Sequence, residues 1–107
     1  ISPPFDGATQ GTYMSHVVLY GTRFCPFCTA ARRLLTAKEI DYQDISVDNN
    51  PELRGKLITK SGRNTVPQIW FGNQHIGGFD ELRDLERQGT FNATLKAGVE
   101  SGETVSI

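Results

Sequence analysis

The sequence predicts an α/β domain with one four-stranded mixed sheet flanked by helices. A β-branched run at His16–Tyr20 precedes a helical pattern over Pro26–Lys38 and a second strand-like run at Asp41–Ile45. A strand, helix and strand within about 30 residues form a βαβ unit, which pairs its strands in parallel. Two more short strands, Gln68–Phe71 and Gln74–Ile76, are joined by a Gly-Asn pair that favours a hairpin turn.

The first two helices are predicted from their apolar spacing and their start signals. Pro26–Lys38 has one apolar side, and the residues expected on the opposite, solvent side are Arg32, Arg33 and Thr36. Asn50-Pro51 predicts the start of the second helix, because Asn caps a helix and Pro suits its first position. The apolar side of this second helix consists of Leu53, Leu57 and Ile58.

The C-terminal third of the chain predicts two shorter helices. Asp80–Gln88 begins with two acidic residues, which stabilise a helix N-terminus, and Gly89 ends it. A last helix is expected at Thr90–Lys96, so residues 14–97 form the domain and residues 98–107 a polar tail. Residues 1–13 contain two prolines and two glycines without periodicity. We interpret them as a disordered remnant of an expression vector, and a natural disordered extension is the alternative.

Composition excludes several classes of function. The 107 residues carry a net charge of -1 without a basic run, which argues against a nucleic-acid partner. No apolar run reaches the ~20 residues of a membrane helix. The two cysteines are too few for the disulfide framework of a secreted domain, and His16 and His75 lack the spacing of a zinc site. No bound metal is predicted.

A redox-active site is predicted at Cys25-Pro26-Phe27-Cys28, at the junction between the first strand and the first helix. At a helix start the sulfur of Cys25 faces unpaired N–H groups and the positive end of the helix dipole, which stabilise a thiolate. Cys28 falls one turn later on the same side. Cys25 is therefore the expected nucleophile and Cys28 the thiol that resolves a mixed disulfide. The alternative is a pair of buried core cysteines that happen to lie close together.

Three segments together resemble the dithiol glutaredoxins in motif, order and spacing. They are Tyr20–Cys28, Thr65–Trp70 and Ile76–Leu82, and the resemblance covers about Ser15 to Leu95. It implies a thioredoxin-like fold, a cis peptide bond between Val66 and Pro67, and glutathione as the reducing co-substrate with no bound cofactor.

The resemblance also implies a glutathione site. The Val66 backbone would pair with the cysteinyl part and Asp80 would hold the γ-glutamyl end, while Arg54 aligns with a position that often contacts the glycyl carboxylate. The other expected contacts are Arg23, Phe27, Thr65, Pro67, Gly78 and Phe79. One departure concerns the third residue before Cys25, which is lysine in many glutaredoxins and Thr22 here. Arg23 is the neighbouring cation that would replace it.

The predicted function is a cytoplasmic, monomeric enzyme that reduces protein–glutathione mixed disulfides and protein disulfides. Its partners would be glutathione and client proteins that carry such disulfides. The sequence leaves two alternatives open. An iron–sulfur cluster carrier would use Cys25 and glutathione as ligands, although such relatives commonly have Cys-Gly-Phe-Ser. A redoxin served by thioredoxin reductase would not use glutathione.

Overall fold

A computed structural model describes residues 16–100 and 102–107. The interpretation of residues 1–13 as a remnant therefore lies outside the described residues. The strands are β1 (Val17–Gly21), β2 (Gln43–Ser46), β3 (Gln68–Phe71) and β4 (Gln74–Gly77). The helices are α1 (Pro26–Ala37), α2 (Pro51–Ser61), α3 (Phe79–Arg87) and α4 (Phe91–Glu100).

The four strands form one mixed sheet in the order β2-β1-β3-β4. β1 and β2 are parallel, as expected for strands joined by a crossover helix, whereas the β1–β3 and β3–β4 pairs are antiparallel. Gly72 in the β3–β4 turn has a φ of 65°, the left-handed region that the Gly-Asn pair predicted. The predicted fold class and the hairpin are confirmed.

Alternate residues of β1 point to opposite faces of the sheet, and both faces are covered. Val17 and Leu19 belong to one hydrophobic cluster, which α1, α3 and α4 complete with Ala31, Leu35, Leu82 and Phe91. Val18 and Tyr20 belong to the other, together with Trp70, Leu57 of α2 and Val105. A strand with two covered faces has no polar alternation, which explains the continuous apolar run in β1.

The C-terminal residues differ from the prediction. α4 continues to Glu100, four residues beyond the expected end at Lys96. Val105, in the segment predicted to be a polar tail, is only 7% exposed, and its N–H donates to the carbonyl of Gly72. Val105 is therefore packed against the sheet. The error arose because one valine between polar residues shows no periodicity, and its partner lies far away in the sequence.

Candidate active site

Cys25 is the residue that starts α1. It is the N-cap, with an extended backbone (φ of -88° and ψ of 121°), and Pro26 follows at the first helical position. The N–H of Cys28 donates to Cys25 Sγ at 3.4 Å, so the sulfur occupies the place that an Asp or Ser oxygen takes in other helices. The helix start that the sequence predicted therefore brings the sulfur of Cys25 to the unpaired N–H groups.

The surroundings of Cys25 favour its thiolate. Partial burial alone would raise the pKa of this thiol, but hydrogen bonds from Cys28 and the N–H of Phe27, together with the charge of Arg32, outweigh it. The net effect holds the pKa of Cys25 below its ordinary value. The sulfur also lies 3.7 Å from the carbonyl oxygen of Val66.

Cys28 has the opposite character. Its side chain is fully buried, and burial, with the hydrogen bond to Cys25 and the charge of Cys25, raises the pKa of its thiol to about 11. A Cβ atom on Gly21 would lie only 2.8 Å from Cys28 Sγ, so the close approach of α1 to β1 requires glycine there. The pair is thus one partly buried thiol of lowered pKa beside one fully buried thiol of raised pKa, and the two are not joined by a disulfide.

A groove of about 200 Å³ opens beside the thiol pair. Its lining contains seven of the predicted glutathione contacts and two residues, Arg63 and Glu81, that were not predicted. The seven are Phe27, Thr65, Val66, Pro67, Gly78, Phe79 and Asp80. The Val66–Pro67 peptide bond is cis, as the resemblance implied. The groove therefore extends from the neighbourhood of Cys25 to the N-terminus of α3.

Glu81 joins the groove wall to the start of α3. Its Oε1 accepts hydrogen bonds from the N–H of Gly78 at 2.7 Å and from Arg63 Nη1 at 3.0 Å. The hydrogen bond from Gly78 and the charge of Arg63 together hold the pKa of Glu81 below its ordinary value. Arg63 was missed because the sequence showed only a Ser-Gly-Arg-Asn loop. Its position two residues before Thr65 was the available signal.

A buried glutamine supports the other wall of the groove. Gln68 is fully buried, and its side-chain amide donates to the carbonyl and the hydroxyl of Thr65 at 3.1 and 3.2 Å. Its remaining oxygen pairs with His75 Nε2 at 2.7 Å. Burial and the nearby charge of Arg63 lower the pKa of His75, which favours the neutral ring. Thr65 is thus fixed from behind the groove.

Both arginines predicted to contact glutathione, Arg23 and Arg54, lie outside the lining of the groove. Arg23 is exposed, and its guanidinium lies 5.8 Å from the centre of the Phe24 ring. Its backbone N–H donates to the carboxylate of Asp48. Arg54 donates to the carbonyl of Asn64 at 3.4 Å, and its Nε is buried without a partner. Their contacts to glutathione stay predictions. Phe24, 87% exposed beside Cys25, was not singled out from the sequence.

Two absences among the described residues concern metal sites and membrane-spanning helices. Within residues 16–100 and 102–107 no group of three or more His, Cys, Asp or Glu side chains is placed to hold a metal ion. Over the same ranges, none of the helices combines the length and the apolar character required to cross a bilayer.

Comparison with known proteins identifies similar families and folds. The glutaredoxin family model matches residues 17–76. A glutaredoxin of Pseudomonas aeruginosa is 50% identical over 84 residues, which are 78% of this chain and all of the relative. Glutaredoxin 3 of Escherichia coli K12 is 41% identical over 83 residues, again 78% of this chain and all of the relative. A crystal structure of a buckwheat glutaredoxin–glutathione complex shares the fold, with a TM-score of 0.72, 24% identity and coverage of 91% of this chain and 90% of its own.

The relatives and the site lead to the same assignment. The family model covers more than half of the chain, and two free thiols lie together at the start of α1. The chain belongs to the glutaredoxin family and is a thiol–disulfide oxidoreductase.

Proposed function

We propose that the chain is a glutathione-dependent reductase of protein–glutathione mixed disulfides and protein disulfides that works through Cys25 and Cys28. The observation that carries this proposal is the contrast between the two thiols at the end of one groove. Cys25 is only partly buried and has a lowered pKa, whereas Cys28 is fully buried and has a raised pKa. An attacking thiol and a reserve thiol are what a dithiol mechanism requires.

The first step is attack by the Cys25 thiolate on the glutathione sulfur of a mixed disulfide. The client leaves as its thiolate, and Cys25 forms a disulfide with glutathione. A second glutathione then attacks the sulfur of the bound glutathione. Oxidised glutathione is released, and the Cys25 thiolate is restored. On a protein disulfide, Cys28 instead displaces the client from Cys25, and two glutathione molecules reduce the resulting Cys25–Cys28 disulfide.

The groove suits a small peptide with charged ends. The buckwheat relative was solved in complex with glutathione and shares this fold. We place the cysteinyl part at Val66, whose carbonyl lies 3.7 Å from Cys25 Sγ. The γ-glutamyl end would lie at the N-terminus of α3, where N–H groups bind its carboxylate and Asp80 binds its ammonium group.

We assign the glycyl carboxylate to Arg63, with Arg54 and Arg23 as the alternatives that the sequence offered. Arg63 lines the groove, whereas the other two arginines do not. Its guanidinium donates a hydrogen bond to Glu81, which holds it in place. The other N–H groups of the guanidinium can donate to a second carboxylate.

The chain would act as a monomer, since one chain contributes both thiols and the groove. A reaction that consumes glutathione needs a reducing pool of it, so we expect a cytoplasmic protein whose partners are glutathione and its disulfide-bearing clients. Each of these exchange steps transfers electrons directly between sulfur atoms, so no bound cofactor is required.

A coupled assay tests the proposal. The consumption of NADPH measures the reduction of a glutathionylated peptide. One arm of the assay contains glutathione and glutathione reductase, and the other contains thioredoxin reductase alone. Turnover is expected in the first arm. Cys25→Ser should abolish it, while Cys28→Ser should retain it because free glutathione resolves the intermediate. Turnover only in the thioredoxin reductase arm, or equal loss in both variants, would refute the proposal.

A further inference from the structure

Arg32 is held at a fixed place beside the thiol pair. The sequence placed this residue on the solvent side of α1, but its side chain is only 22% exposed. Its Nε donates to Asp44 Oδ2 of β2 at 2.8 Å, and its Nη2 donates to the carbonyl of Thr22 at 3.1 Å. Because these partners belong to two different segments, the guanidinium has little freedom to move.

The guanidinium lies close to the buried sulfur. The position that a Cβ atom on Gly21 would take is 2.8 Å from Cys28 Sγ and 3.4 Å from Arg32 Nη2. The two atoms are therefore within about 6 Å of each other, a distance at which a positive charge stabilises a thiolate. Two charged side chains act on the pKa of Cys28: the charge of Cys25 raises it, and the charge of Arg32 lowers it.

The Cys28 thiolate requires stabilisation only at the step in which it attacks the mixed disulfide on Cys25. In the reduced protein, burial together with the hydrogen bond to Cys25 and the charge of Cys25 raises the pKa of Cys28. Once Cys25 enters a mixed disulfide, it no longer carries a charge and no longer accepts that hydrogen bond as a thiolate. The N–H of Thr22 and the charge of Arg32, which both favour the Cys28 thiolate, remain.

We propose that Arg32 is a positioning residue for the resolving step, in which its charge stabilises the Cys28 thiolate as that thiolate attacks the mixed disulfide on Cys25. The inference rests on the proposed dithiol mechanism. Cys28 Sγ attacks Cys25 Sγ, the bond from Cys25 to the bound thiol breaks, and the Cys25–Cys28 disulfide forms. The proton lost by Cys28 goes to solvent and the leaving thiolate carries away the electron pair, so no further oxidant is needed. Arg32 thereby favours resolution by Cys28 over resolution by a second external thiol.

The two exchange steps can be observed separately with dithiobis(nitrobenzoate), an aromatic disulfide whose thiol product is yellow. One equivalent is mixed rapidly with the reduced protein. The first release of thionitrobenzoate reports attack by Cys25, and the second reports resolution by Cys28. Arg32→Gln should slow the second release about threefold to tenfold at neutral pH and move its pH profile to higher pH. The first release should change by less.

Two matched variants control for charge and for position. Arg32→Lys keeps a positive charge and should recover most of the second rate. Arg33→Gln removes a charge from the exposed neighbour on the same helix and should leave both rates unchanged.

Asp44→Asn separates the effect of charge from a structural role. It weakens the bridge between α1 and β2 but leaves Arg32 less neutralised, so the second release should be as fast as in the wild type or faster. If the bridge only braces the fold, Asp44→Asn should slow the second release as Arg32→Gln does, and that result would overturn the inference. An unchanged second release in Arg32→Gln would overturn it too. Asp44→Asn also remains informative if Arg32→Gln does not fold.

Failure of the underlying function has a different signature. If the dithiol mechanism is wrong, the wild type itself releases one thionitrobenzoate instead of two. Cys28→Ser provides that one-release reference.

Discussion

Replacement of Gly21 by alanine tests the contact on which the position of Cys28 depends. The added Cβ atom would lie 2.8 Å from Cys28 Sγ and 3.1 Å from Leu19 Cδ2. The first distance is shorter than real Cβ contacts, and Cys28 is fully buried in α1, so the sulfur or the helix must move. Overpacking of this kind costs about 1–3 kcal/mol in the free energy of unfolding.

A double-mutant cycle isolates that contact. Cys28→Ala removes the sulfur, so Gly21→Ala should cost little in that background although it costs about 1–3 kcal/mol in the wild type. The free energy of unfolding is measured by urea denaturation of the reduced proteins, and melting temperatures provide a second measure at about 4–8 °C per kcal/mol. An equal cost of Gly21→Ala in both backgrounds would refute the steric argument.

Gly55→Ala is the matched control. Gly55 lies within α2, and a Cβ atom there would meet nothing within 4 Å. Alanine should therefore stabilise the protein by about 0.5–1 kcal/mol through its better helix propensity. Opposite signs at the two glycines would show that the loss at Gly21 comes from the contact and not from the loss of glycine as such.

Four further outcomes are expected. The Cys25 thiolate, followed by ultraviolet absorbance, should titrate below the ~8.5 of a free thiol, so that alkylation stays fast at pH values where an ordinary thiol is protonated; an unshifted titration would contradict the N-cap argument. Arg63→Ala should raise the Michaelis constant for glutathione about tenfold, because an exposed charge-assisted hydrogen bond is worth ~1.5 kcal/mol, and an unchanged constant would exclude the contact. Val105→Asp should lower the free energy of unfolding by about 2 kcal/mol or more in urea denaturation, whereas Val99→Asp at an exposed site should change it little. Deleting residues 1–13 should leave the melting temperature and the activity unchanged, since they offer little apolar surface, and a marked fall in melting temperature would show that they pack.

The features that the sequence predicts well are those set by neighbouring residues. The N-cap at Cys25, the Asn50-Pro51 start of α2 and the turn at Gly72 each depend on a few adjacent positions, and all three are confirmed. The fold class followed because the order of strand and helix patterns allows few topologies. The thiol pair was predictable for the same local reason.

The features that were missed depend on contacts between distant segments. Arg32 appeared to face solvent because helical periodicity alone does not show that Asp44 of β2 lies beside it. Arg63 appeared as an ordinary loop residue because its partner, Glu81, follows 18 positions later. Val105 packs beside the β3–β4 turn, which lies 33 residues earlier at Gly72. In each case the residue type was visible, but its partner was set by the packing.

The two thiols differ because α1 closely approaches the end of β1 at Cys28 and begins at Cys25. Because Gly21 has no side chain, α1 lies against the strand, and Cys28, one turn into the helix, is excluded from water. Cys25 at the N-cap escapes that burial and keeps its sulfur beside the unpaired N–H groups. The same close approach brings the guanidinium of Arg32 to the buried side of the pair. The packing contact therefore buries Cys28 and raises its pKa, whereas the hydrogen bonds at the helix start and the charge of Arg32 lower the pKa of Cys25. The same contact places near Cys28 the charge that can offset its burial when resolution begins.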